Sequence, residues 1–121
     1  MWRNFLFVAS GGALGSMLRY ATGLVINNKT FPLATLMVNI IGSFIIGVVL
    51  AMSEKSAAFE SQWKVLLASG ICGGFTTFSS FSAENMQLIQ QQKIALFAVY
   101  AGISIVLGIL AAWLGYKLIS N

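Results

Sequence analysis

The chain has 121 residues, 58% of them hydrophobic and 8% charged, with a formal net charge of +4 and a mean hydropathy of +0.85. Too little polar surface exists to wrap a soluble domain of this size, so one small membrane-embedded domain spanning residues 1–121 is expected. The lone Cys72 excludes an intrachain disulfide, and with no histidine and three acidic residues an ordinary transition-metal site has no ligand set.

Helix one is expected from about Phe5 to Ile26, less apolar than its successors because it carries Arg19 and four glycines. Arg3 followed by "FLFVA" has the look of a signal peptide, but the apolar pattern continues through "GGALGSMLRYATGLVI", so residues 1–27 are expected to stay. "NNKTFP", with the only proline, ends this segment and opens helix two, Phe31 to Met52. "SEKSAAFESQ" separates it from helix three, Val65 to Ala83, and "QQQK" precedes helix four, Ile94 to Tyr116. The uncharged runs approach the ~20 residues a helix needs to cross the hydrocarbon core. Trp2, Tyr20, Trp63, Trp113 and Tyr116 fall toward segment ends, where amphipathic rings prefer the headgroup level.

Small residues recur four apart at Gly11 and Gly15, Gly12 and Ser16, Ser43 and Gly47, Gly108 and Ala112, and Ala111 and Gly115. Such pairs let helix backbones approach, either within the chain or between subunits. The basic residues are scattered singly rather than clustered for nucleic acid. With a cytoplasmic start, one side holds Arg3, Lys55, Lys64 and Lys117 and the other Lys29 and Lys93, with Arg19 in the interior. So small a bias is compatible with insertion in both orientations.

Polar side chains inside such helices must pair or line a pathway. Thr35, Asn39 and Ser43 share one face of helix two, and Tyr100 and Ser104 one face of helix four. Asn39 brings donors and an acceptor that all need partners, whether as a link between helices or as part of a path. Helix three carries the densest pattern, "GGFTTFSSF" at 73–81. Gly70, Gly73 and Gly74 are expected to break it, and the second half then starts with the hydroxyls of Thr76, Thr77, Ser79, Ser80 and Ser82 near its positive dipole end, an arrangement that favours an anion. Phe75, Phe78 and Phe81, three apart, would align ring edges on one face, with Glu84 on the hydroxyl face beyond. Packing phenylalanines and back-bonded hydroxyls account for any one of these residues alone. No nucleophile, base and orienting group occur together, so an enzyme is not expected.

"GGALGSMLRY" at 11–20, "FPLATLMVNIIGSFIIG" at 31–47 and "GICGGFTTFSSFSAE" at 70–84 occur in the order found in the Fluc (CrcB) fluoride ion channels, and the chain resembles that family over essentially its whole length. Ser80 stands where the family usually has threonine, and Leu33-Ala34 departs from its proline, glycine, threonine run. The resemblance implies an all-α membrane protein of four transmembrane helices with a break in helix three, assembled as an antiparallel, dual-topology homodimer in the plasma (inner) membrane of a prokaryote. It implies passive, fluoride-selective conduction out of the cytoplasm that reduces fluoride toxicity. Phe78 and Phe81 would meet the ion by their edges and Asn39 would donate to it. Arg19 would line the aqueous mouth, Thr77, Ser79 and Ser80 the polar track, and Tyr100 and Glu84 the further path. A structural sodium ion would be held at the dimer interface by the carbonyls of Gly73 and Thr76. Two alternatives compete: a small dual-topology multidrug exporter, whose chemistry needs an acidic residue that helix one lacks, and a structural subunit of a membrane complex, which leaves the helix-three motif without a task.

Overall fold

Apolar segments wind into helices because lipid offers their backbone groups no other partner. In the computed structural model, which describes residues 1–120, every regular element is helical: α1 (Trp2–Val25), α2 (Leu33–Lys55), α3 (Ala57–Gln62), a π-helix (Val65–Cys72), α4 (Gly73–Phe75), α5 (Phe78–Gln90) and α6 (Ile94–Ser120). Among the described residues three helical stretches are long and apolar enough to cross a membrane, Leu33–Lys55, Val65–Gln90 and Ile94–Ser120. The 24 residues of α1 have the length, but with Arg19 and its glycines α1 is not among these three.

The punctuation is read from local chemistry. Pro32 caps α2, as its placement predicts. The connector "SEKSAAFESQ" contains α3, whose start Ser56 caps by accepting a hydrogen bond from the Phe59 amide. After α5, Gln92 adopts a left-handed conformation (φ 61°), with Gln92 N–H donating to Ile89 O and Lys93 N–H to Leu88 O. This is the Schellman closure, built here without glycine.

Two close helix pairs make the body, α2 against α6 and α1 against the π-helix with α4. The glycines explain both. A Cβ on Gly11 would stand 2.7 Å from Leu66 O and 2.9 Å from Gly70 Cα, and one on Gly74 would stand 2.5 Å from Gly12 O. Gly47 and Gly115 likewise lie directly against the backbone of the facing helix, at Ala112 and Phe44. The small-residue pairs of α1, α2 and α6 therefore serve contacts inside the chain. Leu36, Leu88 and Tyr100 form the buried core where α2, α5 and α6 meet, with Phe31, Phe81 and Phe97 packed around it.

Candidate functional site

The third membrane segment is interrupted, as the sequence predicts, but at two threonines rather than at the expected glycines. Gly70 lies in the π-helix and Gly73 and Gly74 in α4; the extended residues are Thr76 (φ −85°, ψ 158°) and Thr77 (φ −151°, ψ 116°). Gly70 and Gly74 serve close approach to α1, and the threonines, β-branched and poor in helices, carry the extended turn.

A break at membrane depth frees backbone groups, and each visible partner is a residue that the polar pattern singles out. Asn39 takes the Thr77 peptide from both sides: its Oδ1 accepts from Thr77 N–H at 2.8 Å, and its Nδ2 donates to Thr77 O at 3.2 Å. Arg19 Nε donates to Gly74 O at 3.2 Å, bringing a cation to the negative end of α4. Thr77 is the N-cap of α5, its Oγ1 accepting from Ser80 N–H at 3.1 Å, and Ser79 Oγ lies 3.3 Å from the same hydroxyl. Thr76 Oγ1 bonds back to Cys72 O at 2.8 Å. Because Thr77 N–H goes to Asn39, the Gly73 carbonyl loses the i+4 donor a continuous helix would give it.

Beyond the break, Glu84 accepts two hydroxyl hydrogen bonds at 2.9 Å, from Thr35 Oγ1 and Tyr100 OH. Tyr100 is fully buried and packs against Phe81 with ring centroids 5.2 Å apart, and Phe81 in turn lies 5.8 Å from Phe78. Phe78 is 79% exposed on the single chain. Phe75 is cut off from this row by the break and lies toward Gly42 on α2, so the aligned face has two rings rather than three.

Two cavities flank the break. One, of about 410 Å³, is lined by Asn39, Ser43, Gly73, Thr76, Phe78, Phe81 and Ser104, among others. The second, about 430 Å³, has Arg19, Thr35, Ser80 and Glu84 in its wall. Thr77 alone lines both, so the residue whose backbone Asn39 holds stands between them. Of the residues predicted to line the path, Ser79 and Tyr100 line neither cavity: Ser79 is exposed, and Tyr100 is fully buried behind Glu84 and Phe81. The role of Thr35 as a Glu84 partner and the buried, unpartnered Ser104 hydroxyl beside the rings were not foreseen, although both residues sit on the polar faces noted in the sequence. The arrangement offers hydroxyl, amide and guanidinium donors and ring edges along a path with one carboxylate, a set suited to a small anion.

The family model described as "CrcB-like protein, Camphor Resistance (CrcB)" matches residues 6–116. The chain is 45% identical over 116 residues to the fluoride-specific ion channel FluC of Flavobacterium psychrophilum, covering 93% of this chain and 94% of the relative. FluC of Leptospira interrogans is also 45% identical, over 122 residues (98% and 96%), and FluC of Thermus thermophilus 44%, over 118 residues (95% and 94%).

Proposed function

Because the chain belongs to the CrcB-like family, whose named relatives are ion channels and not enzymes, we propose that it is a fluoride-specific channel that lets fluoride leave the cytoplasm passively and so reduces fluoride toxicity. It is a multi-pass membrane protein, and its place in this reading is the plasma (inner) membrane of a prokaryote, with α1 as a fourth crossing in one domain. The observation that carries the function is the near-complete match to relatives named as fluoride-specific channels, and the two cavities around Thr77 supply its physical basis. Fluoride is small and strongly hydrated, so a path must replace its water with donors. Asn39, Thr77, Ser79 and Ser80 supply amide and hydroxyl groups, Phe78 and Phe81 ring edges, and Arg19 positive charge at the aqueous mouth. Glu84 and Tyr100 belong to the further path.

The working unit in this reading is an antiparallel homodimer of chains inserted in both orientations. Phe78, 79% exposed beside an open cavity, is the kind of surface a second copy would cover, and the near-balanced flanking charges permit both orientations. Gly73 and Thr76 are suited to a sodium ion. Both line the first cavity, the Gly73 carbonyl has lost its helical donor, and no group of three carboxylate, thiol or imidazole ligands exists among the described residues. Two carbonyls from one chain leave most of a cation's coordination to be supplied elsewhere, which fits a site shared between copies. A bound cation there would hold the two breaks together rather than take part in conduction.

Purified protein in liposomes loaded with potassium fluoride or potassium chloride tests the function. Fluoride efflux well above that of empty liposomes is expected, with chloride retained. Fluoride retained as in protein-free liposomes ends the proposal.

A further inference from the structure

The path does not end at Glu84. A third cavity, of about 200 Å³, has Glu84, Asn28 and Pro32 in common with the second, and its outer wall carries Lys29 and Lys93. The lysines come from separate connectors. Lys29 lies in the α1–α2 loop, where Asn28 Oδ1 accepts from the amides of Thr30 (2.9 Å) and Phe31 (3.1 Å). Lys93 follows the Schellman closure of α5, its own amide bonded to Leu88 O at 2.9 Å. Both backbones are thus pinned, and two ammonium groups are brought to one mouth although 64 positions separate them in sequence. Among the described residues neither lysine lies within ion-pair distance of a carboxylate. Both oxygens of Glu84 are engaged by neutral hydroxyls, so its charge faces the path without a cationic partner.

This has an electrostatic consequence. A carboxylate on the wall between two cavities repels any anion that passes, and two positive charges on the outer cavity offset that repulsion and raise the local anion concentration. We infer that Lys29 and Lys93 form a cationic collar on the outer cavity that draws small anions to and from the Glu84 wall, and so sets the rate of conduction at low ionic strength. The inference rests on the fluoride-channel reading above and adds to it the residues that govern access.

The test uses the full chain in vesicles of neutral phosphatidylcholine, so that no lipid charge competes, with fluoride efflux read by an ion-selective electrode. At about 10 mM salt charges act over ~30 Å, whereas at about 1 M they act over ~3 Å. The Lys29→Gln/Lys93→Gln protein, purified at the wild-type elution volume, is expected to conduct at least about threefold more slowly than wild type at the low salt and equally at the high salt. Lys29→Arg/Lys93→Arg should keep the wild-type salt dependence, and each single glutamine variant, the fallback if the pair does not fold, should lie between. Removing two lysines elsewhere, Lys55→Gln/Lys64→Gln, should leave the rate unchanged. Equal rates at low salt, or a deficit that persists undiminished at high salt, would overturn the collar. Absence of fluoride flux in the wild-type protein would remove the channel reading itself, a distinguishable failure.

Discussion

Asn39 and the Thr77 peptide give the sharpest prediction. Replacing Asn39 by leucine keeps the side chain's approximate size and removes both hydrogen bonds to the break, leaving Thr77 N–H and Thr77 O without their partners. An unmade bond to a buried backbone group costs about 1–3 kcal/mol in a dry interior. Thr77 is not in a dry interior, because it lines both cavities, and interhelical bonds in membranes average nearer ~0.6 kcal/mol. Two bonds at about 1 kcal/mol each give a loss of ~2 kcal/mol, or roughly a thirtyfold shift in the unfolding equilibrium. Thr77→Ala is the matched control, since the clamp uses only the Thr77 backbone. That change removes the cap on Ser80 N–H, expected to cost about 1 kcal/mol, and leaves the clamp intact. Unfolding in mixed micelles with increasing denaturing detergent, followed by tryptophan fluorescence, measures both. If Asn39→Leu unfolds at the wild-type midpoint while Thr77→Ala does not, the carboxamide does not hold the break.

Further expectations follow from the same geometry. Phe81→Ile should lose about 1 kcal/mol by removing its ring contact with Tyr100, and both Phe81→Ile and Phe78→Ile should impair fluoride efflux if ring edges meet the ion. Gly15→Ala places a Cβ against the backbone of Ile71 and Phe75, so α1 must move outward, with a loss of about 1–3 kcal/mol in the same detergent assay. Gln92→Gly relieves a left-handed backbone and should stabilise by ~1 kcal/mol, and an unchanged or lower midpoint would refute the strain. Two lysines added to the "NNKTFP" loop should fix one orientation, read by labelling an introduced cysteine in a Cys72→Ser background; one-sided labelling before the lysines are added would rule out dual topology.

Much of this molecule is determined by its sequence alone. Uncharged runs of membrane length define helices, because no other conformation satisfies a backbone in lipid, and α2 and α6 lie within a few residues of their expected bounds. The polar residues were legible for the same reason: Asn39, Thr77 and Glu84 stand out because each demands partners in a chain with few polar side chains to offer. Which partner each takes depends on contacts 38 or 49 positions away, and that only the tertiary structure decided. Gly70, Gly73 and Gly74 read as a break because glycine loosens a helix, yet the closeness of α1 turns Gly70 and Gly74 into packing surface and moves the extension to Thr76 and Thr77. Phe75, Phe78 and Phe81 share a face only on an unbroken helix, so the displaced break removes Phe75 from the row. Lys29 and Lys93 read as isolated flanking charges, because sequence spacing carries no information about two connectors that a bundle brings to one cavity.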